Sequence, residues 1–268
     1  MPELPEVETI RRQLLPIYKN EILGKIDFRY AGLLKNATPD DVRTALQGKP
    51  LLDIDRFGKF LLFRFPDHHL VVHLGMSGVF IKDVAQSRYP QHIHVVFHFS
   101  ANKHLYYQDF RKFGKMWLYG SRVDFSQYGV DPFSPEFTLK KLRELLHLTR
   151  RNIKVFLMDQ HQIAGIGNIY ANEILFEARI SPFKRTDELT PEQETALFRS
   201  IRAVLERAIQ RFGTTYSAYR TVEGESGENQ HFLKVYHRAG EPCVRCGTPI
   251  AKTTLGSRST FYCPTCQV

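Results

Sequence analysis

The sequence predicts an α+β chain of several domains: a β-rich N-terminal part, a helical middle and a small metal-stapled C-terminal module. Three observations carry that prediction. Residues from about 21 to 120 hold short β-branched and aromatic runs separated by turn chemistry, the signature of antiparallel strands. After the Pro-rich stretch "DPFSPEF" (131–137), apolar residues recur at three- and four-residue spacing, the period of amphipathic helices. All four cysteines lie between positions 243 and 266, as two C-x2-C pairs.

Taken in order, "LPEVETIRRQLLPI" from Leu4 reads as a helix. Pro5 suits its first turn, Glu6 and Glu8 complement the positive end of the dipole, and Pro16 is expected to stop it. "LLDIDRFGKFLLFRF", "HLVVHLGMSGVFI", "HIHVVFHF" and "HLYYQDF" then supply strands for a sandwich or a barrel. The helical segments are "TLKKLRELLHLTRRNIKVFLMDQ", "NIYANEILFEARI" and "TPEQETALFRSIRAVLERAIQRF", the last opened by Thr190, Pro191 and Gln193. A polar, Gly-rich loop "TVEGESGENQ" (221–230) leads into the cysteine module, where "AKTTLGSRSTFY" reads as a hairpin carrying Lys252 and Arg258. The domain boundaries expected from these shifts are 1–130, 131–222 and 223–268.

Composition narrows the function. With 43% hydrophobic and 12% aromatic residues, a chain of 268 can bury proper cores, which excludes wholesale disorder. A net charge of +9 points to a polyanionic partner, because clustered cations release the counterions condensed on nucleic acid. No apolar run approaches the roughly 20 residues of a membrane span. The N-terminus carries acids where a signal peptide has basic residues and an apolar stretch, so an intracellular, soluble protein is expected. Cys243, Cys246, Cys263 and Cys266 have the spacing of two knuckles around one zinc ion. A site with four protein thiolates is closed, so that zinc is structural.

Two further stretches suggest chemistry. "AGIGNIYANEIL" (164–175) is a Gly turn entering a helix, and its backbone N–H groups with Asn168 form a natural phosphate seat. Just upstream, "RRNIK" (150–154) offers Arg150, Arg151 and Lys154 to the same phosphates. At the N-terminus, removal of Met1 exposes Pro2 as a secondary amine. An α-amino group titrates near ~8, and a helix N-terminus lowers it further. Such an amine attacks an aldehyde-level carbon to form a cationic imine, with Glu3 placed to exchange protons there. The plain alternative is a Pro/Glu helix cap.

"MPELPEVETIRR", "GKFLLF", "HLGMSG", "DFRKFG", "MDQHQIAGIGNIYANEILF", "KVYHRAGEPC" and "TFYCPTCQ" together resemble the bacterial formamidopyrimidine-DNA glycosylases, in family order along the whole chain. Leu4 favours this branch over the endonuclease VIII branch, which typically begins "PEGPE". The resemblance implies an N-terminal β-sandwich with flanking helices, a helix–two-turn–helix domain and a C-terminal zinc finger. It implies a bifunctional glycosylase and AP lyase of base-excision repair, monomeric and cytoplasmic, acting on double-stranded DNA. By the same resemblance Pro2 is the nucleophile, Glu3 the acid and Glu6 a further active-site carboxylate. Lys59 then contacts phosphate and assists β-elimination, and Arg258 serves δ-elimination. His73, His92, Arg111, Lys154, Asn168 and either Arg150 or Arg151 fall at DNA-contacting positions. Met76, Arg111 and Phe113 match side chains that fill the gap left by an extruded base, offsetting lost stacking. The loop "VEGESGENQHF" departs from the family's "DGKPGYFQ" pattern. By the resemblance oxidised purines, formamidopyrimidine first, are the first reading, and the loop's departure sets 8-oxoguanine behind it. Oxidised pyrimidines, or a damage-binding paralogue without catalysis, are the alternatives.

Overall fold

The computed structural model describes residues 1–87, 89–100, 102–216 and 218–268. They group into two compact units, Met1–Phe125 with Ile209–Gln230, and Ser126–Ala208 with His231–Val268.

The first unit opens with α1 (Leu4–Tyr18), β1 (Leu23–Phe28) and α2 (Pro39–Leu46). Strands β2 (Asp53–Phe57), β3 (Phe60–Arg64), β4 (His69–His73), β5 (Gly78–Ile81), β6 (Ile93–Phe99), β7 (His104–Asp109) and β8 (Lys115–Tyr119) come next. They form two four-stranded sheets, ordered β1-β6-β7-β5 and β2-β3-β4-β8, and every named pairing within them is antiparallel. Inward side chains of both sheets share one core, where Phe63 of β3 lies 5.5 Å from Phe80 and 6.4 Å from Phe97. The fold is thus a sandwich. β1 and β8 lie at sheet edges, outside the four runs that read as strands.

Pro16 does not stop α1, which runs on to Tyr18. Proline removes one N–H, but in a last turn that loss is small beside the gain from seating Tyr18. The Tyr18 ring is buried in the core, and its hydroxyl donates to the His104 carbonyl at 2.6 Å. Segment 209–230 completes this unit by placing Tyr219 and Val222 in the same core, and Val222 N donates to Gln13 Oε1 at 3.0 Å.

In the second unit the long run after Thr138 is two helices, α3 (Leu139–His147) and α4 (Ile153–Met158). Asn152 separates them by capping α4, its side chain accepting from Lys154 N at 3.0 Å and Val155 N at 3.2 Å. Beyond them lie α5 (Asn168–Glu177) and α6 (Pro191–Gln210). Thr190 and Gln193 form a reciprocal box at the start of α6, at 3.3 and 3.2 Å. The cysteine module contains the hairpin β9 (Ala251–Leu255) and β10 (Arg258–Tyr262). Among the described residues, no helix is long and apolar enough to cross a membrane.

Candidate functional site

In the first unit the chemistry gathers where α1 begins. Pro2 is buried, and Glu3, Glu6 and Lys59 are 3%, 1% and 6% exposed, so these ionisable groups sit away from bulk water. Glu6 is held at both oxygens. Its Oε2 accepts from Glu3 N at 2.7 Å, and its Oε1 accepts from Thr214 N at 2.8 Å. Gly213 makes the second bond possible: its φ is +76°, and a Cβ there would come within 2.8 Å of Glu6 Oε1.

Lys59 sits in the tight turn between β2 and β3, where Phe57 pairs with Phe60. Arg56 braces that turn, its Nη1 donating to the Gly58 carbonyl at 3.2 Å while its Nε lies 3.2 Å from Glu8 Oε2. Glu8 also takes Arg11 at 2.9 Å and Arg12 at 2.7 Å. Burial pushes the Glu8 carboxyl up, but the hydrogen bonds from Arg11 and Arg12 and the charges of Arg11 and Arg56 outweigh it and hold the group at about 2. The terminal amine, carried by Met1, has its pKa lowered. Burial is the main cause; Glu3 and Glu6 oppose it, while Lys59 and Arg111 lower it further.

Met76, Arg111 and Phe113 project from two turns of this unit. Met76 is 38% and Phe113 49% exposed, so neither belongs to the core. The Arg111 guanidinium lies 4.7 Å from the centre of the Phe113 ring. Asp109, fully buried, ties both turns together. It accepts from Ser77 Oγ, from Arg111 N at 3.2 Å and from Gly114 N at 2.7 Å. Gly75 (φ +63°) lets the turns touch, since a Cβ there would lie 2.5 Å from the Phe113 carbonyl carbon. His73 accepts from Gly75 N at 3.1 Å and packs 5.1 Å from Phe60. Burial, then Lys59 and Lys115, lower it to about 4, so it is neutral at pH 7. His92 is half-buried beside Tyr89, with ring centres 6.2 Å apart.

In the second unit Cys243, Cys246, Cys263 and Cys266 bring their four Sγ atoms within 4.8 Å of one another. The contacts Cys243–Cys266 at 3.9 Å and Cys246–Cys263 at 3.4 Å are far longer than a disulfide bond. They match the roughly 3.8 Å between sulfurs that Zn–S bonds of about 2.3 Å give in a tetrahedron. The donor set therefore fits one structural zinc ion.

Arg258 is exposed at the hairpin tip. The Arg150 side chain is 83% exposed with Asp187 3.6 Å away, whereas Arg151 is drawn to Asp159 at 2.5 Å. Asn168 opens α5, and its Nδ2 donates to the Ser259 carbonyl at 3.1 Å. Lys154 differs from its expected role at a phosphate. It is fully buried, and its Nζ donates to the Ser259 carbonyl at 2.9 Å and to Thr260 Oγ1 at 2.8 Å. The start of α4 packs against the hairpin, which turns this ammonium inward.

Sequence reading gave Glu8 only to the helix dipole and missed Arg56, Asp109, Thr214 and Asn172. The spacing of Glu8 to Arg11 and Arg12 was a readable helix signal. The others act across 32 to 208 residues, as in Asp109–Ser77 and Thr214–Glu6.

The sandwich, the helical unit with its four-cysteine module and the relatives they match make this a DNA glycosylase of oxidised lesions. The chain belongs to the formamidopyrimidine-DNA glycosylase family. The family's N-terminal domain matches residues 1–116, its H2TH domain residues 128–220, and the zinc finger found in FPG and IleRS residues 240–268. The formamidopyrimidine-DNA glycosylase of Cytobacillus firmus is 41% identical over 276 residues, covering 100% of both chains. A Lactococcus lactis Fpg mutant bound to DNA containing Fapy-dG superposes with a TM-score of 0.91, at 34% identity over 99% of each chain. Wild-type Lactococcus lactis Fpg with DNA containing an oxidised pyrimidine gives 0.90, also at 34% identity over 99% of each chain.

Proposed function

We propose that the chain removes oxidised purines, formamidopyrimidine first, from double-stranded DNA and then cuts the strand at the abasic site. The observation that carries this reading is the buried start of α1, where Pro2 is out of solvent and Glu3, Glu6 and Lys59 are 3%, 1% and 6% exposed. Removal of Met1 frees the Pro2 nitrogen as a secondary amine at this place. Its lone pair takes C1′ as the base departs with the glycosidic electron pair and takes up the proton that the amine nitrogen sheds. Glu3 gives a proton to O4′ as the ring opens, leaving a cationic imine. The imine acidifies C2′–H, and loss of that proton expels the 3′ phosphate, with Lys59 on the phosphate. Loss of the C4′ proton then expels the 5′ phosphate, the step assigned to Arg258. Water releases the sugar remnant from the amine.

Glu6 fixes the backbone of Glu3 and so the direction of its carboxyl. Met76, Arg111 and Phe113 fill the gap left by the everted base. His92, Arg111, Asn168 and Arg150 hold the strand, with His73 as a neutral partner. Zinc enters no step; it shapes the module that carries Arg258. The reaction places the protein with the chromosome, in the cytoplasm.

Borohydride reduction on an abasic duplex tests the chemistry. A trapped adduct at the N-terminal residue is expected, and an adduct that survives Pro2→Gly unchanged would sink it. The complex of a relative with an oxidised-pyrimidine DNA keeps a second lesion class in view. Excision of formamidopyrimidine, 8-oxoguanine and thymine glycol from matched duplexes separates the two. Faster release of thymine glycol would favour pyrimidines.

A further inference from the structure

The geometry points to Lys154, with Asn172, as positioning residues that aim Arg258, not as groups that meet DNA. The inference rests on the reading of Arg258 given above. β9 and β10 make a sheet of only two strands, with Arg258 opposite Leu255 and Phe261 opposite Lys252. In such a ladder alternate residues turn their backbone groups away from the partner strand. Ser259 and Phe261 are those residues on β10, so their polar groups face an open edge.

That edge is closed by side chains in place of a third strand. The Ser259 carbonyl accepts Lys154 Nζ at 2.9 Å and Asn168 Nδ2 at 3.1 Å. Phe261 N donates to Asn172 Oδ1 at 2.7 Å, and Asn172 Nδ2 is anchored on the Asn168 carbonyl at 2.6 Å. Lys154 Nζ also reaches Thr260 Oγ1 at 2.8 Å, and that hydroxyl donates to the carbonyl of Arg258 itself at 3.2 Å. The tip is held too: Gly256 lies so close to α4 that a Cβ would come within 2.8 Å of Val155 Cγ2. Ser259 and Phe261 through their backbone, and Thr260 through its hydroxyl, are thus fastened to two helices.

A buried ammonium is costly unless several acceptors surround it. Lys154 is fully buried, and it donates to the backbone and a hydroxyl of the strand bearing Arg258. A methionine would fill the same space without fastening the strand. Loosening the clamp would leave Arg258 attached but badly aimed. The last elimination step would then suffer while imine formation, which belongs to the first unit's residues, proceeds.

The test uses the full zinc-loaded chain on an end-labelled abasic duplex, reading the ratio of δ- to β-elimination products, the borohydride trapping rate and bound zinc. Lys154→Met and Asn172→Leu are each expected to lower the ratio about five-fold or more, as loss of a buried hydrogen bond would. Trapping should stay within about two-fold and zinc at one per chain, differences that correspond to well under one such bond. Arg258→Ala is run beside them. If it lowers the ratio and the two variants do not, the clamp is wrong. If Arg258→Ala leaves the ratio unchanged, the assignment of Arg258 falls and the clamp with it. Equal loss of trapping and δ-elimination would make Lys154 a DNA contact and overturn the proposal. Loss of zinc from both variants would also overturn it, because the clamp would then serve folding of the module. Should Lys154→Met alone lose zinc, Asn172→Leu decides.

Discussion

The start of α1 and the zinc hairpin each present one of the groups proposed to react, the terminal amine and Arg258, yet they hold it with different resources. Around the terminal amine a large sandwich core supplies the rigidity, and buried carboxylates are fixed by backbone N–H groups such as those of Glu3 and Thr214. The hairpin has little apolar core of its own. Four thiolates brace one end, and Lys154, Asn168 and Asn172 replace a missing strand along its edge. The difference teaches that precision in a small module can be borrowed from a metal and from neighbouring helices, where a larger unit obtains it from packing.

The largest effect that would break this comparison lies at the amine. Protein that retains Met1 has Pro2 in an amide, and trapping should fall on the order of 10⁴-fold or more, as for loss of any covalent nucleophile. Mass spectrometry of the N-terminus beside the trapping yield checks it; full trapping by Met1-bearing protein would refute the assignment.

Zinc removal comes next, because structural zinc contributes about 10–16 kcal/mol to folding small modules. Chelation, or Cys243→Ser, should abolish DNA binding and strip hydrogen-exchange protection from residues 243–266. The strands of the sandwich should keep theirs. Equal loss in both regions would erase the distinction drawn here.

Glu8→Gln sharpens the first region. Glu8 is held at about 2 instead of 4.5, so its contribution is fully present above pH 4.5 and is lost as pH falls toward 2. Removing it should cost at most about 3 kcal/mol at pH 7 and flatten the stability curve over that acid window. Denaturant unfolding at several pH values reads this directly. An unchanged acid limb would show that the Arg11, Arg12 and Arg56 network does not carry the stability.

The smallest effect belongs to the exposed guanidinium. Arg150→Ala should lower the slope of log affinity against log salt by about 1, as expected for one lost phosphate contact. Arg151→Ala, already satisfied by Asp159, should change it less. The reverse order would assign the contact to Arg151.

Much of this was legible because its signals are local. Strand periodicity, the spacing of Cys243, Cys246, Cys263 and Cys266, and the box of Thr190 with Gln193 all lie within a few residues of each other. Pro16 misled because the burial of Tyr18, a tertiary contact, decides where α1 ends. Lys154 misled for a related reason. Beside Arg150 and Arg151 it reads as part of a basic run, and only the packing of α4 against β10 turns it inward. Gly213 could not be found from pattern at all, since Glu6, the group it makes room for, is brought to it by the fold.

The bond from Thr214 to Glu6 also has a bearing on how the chain is made. Residues 126–208 are synthesised between the two parts of the first unit, so a ribosome at roughly 5–20 residues per second needs about 5–20 s to go from 125 to 230. Until then Glu6 lacks the N–H that fixes one of its oxygens, and Tyr219 and Val222 are missing from the core. A nascent chain already carrying the amine and Glu3 is therefore an unfinished nuclease. Competence waits for residues 209–230, made after the whole stretch 126–208.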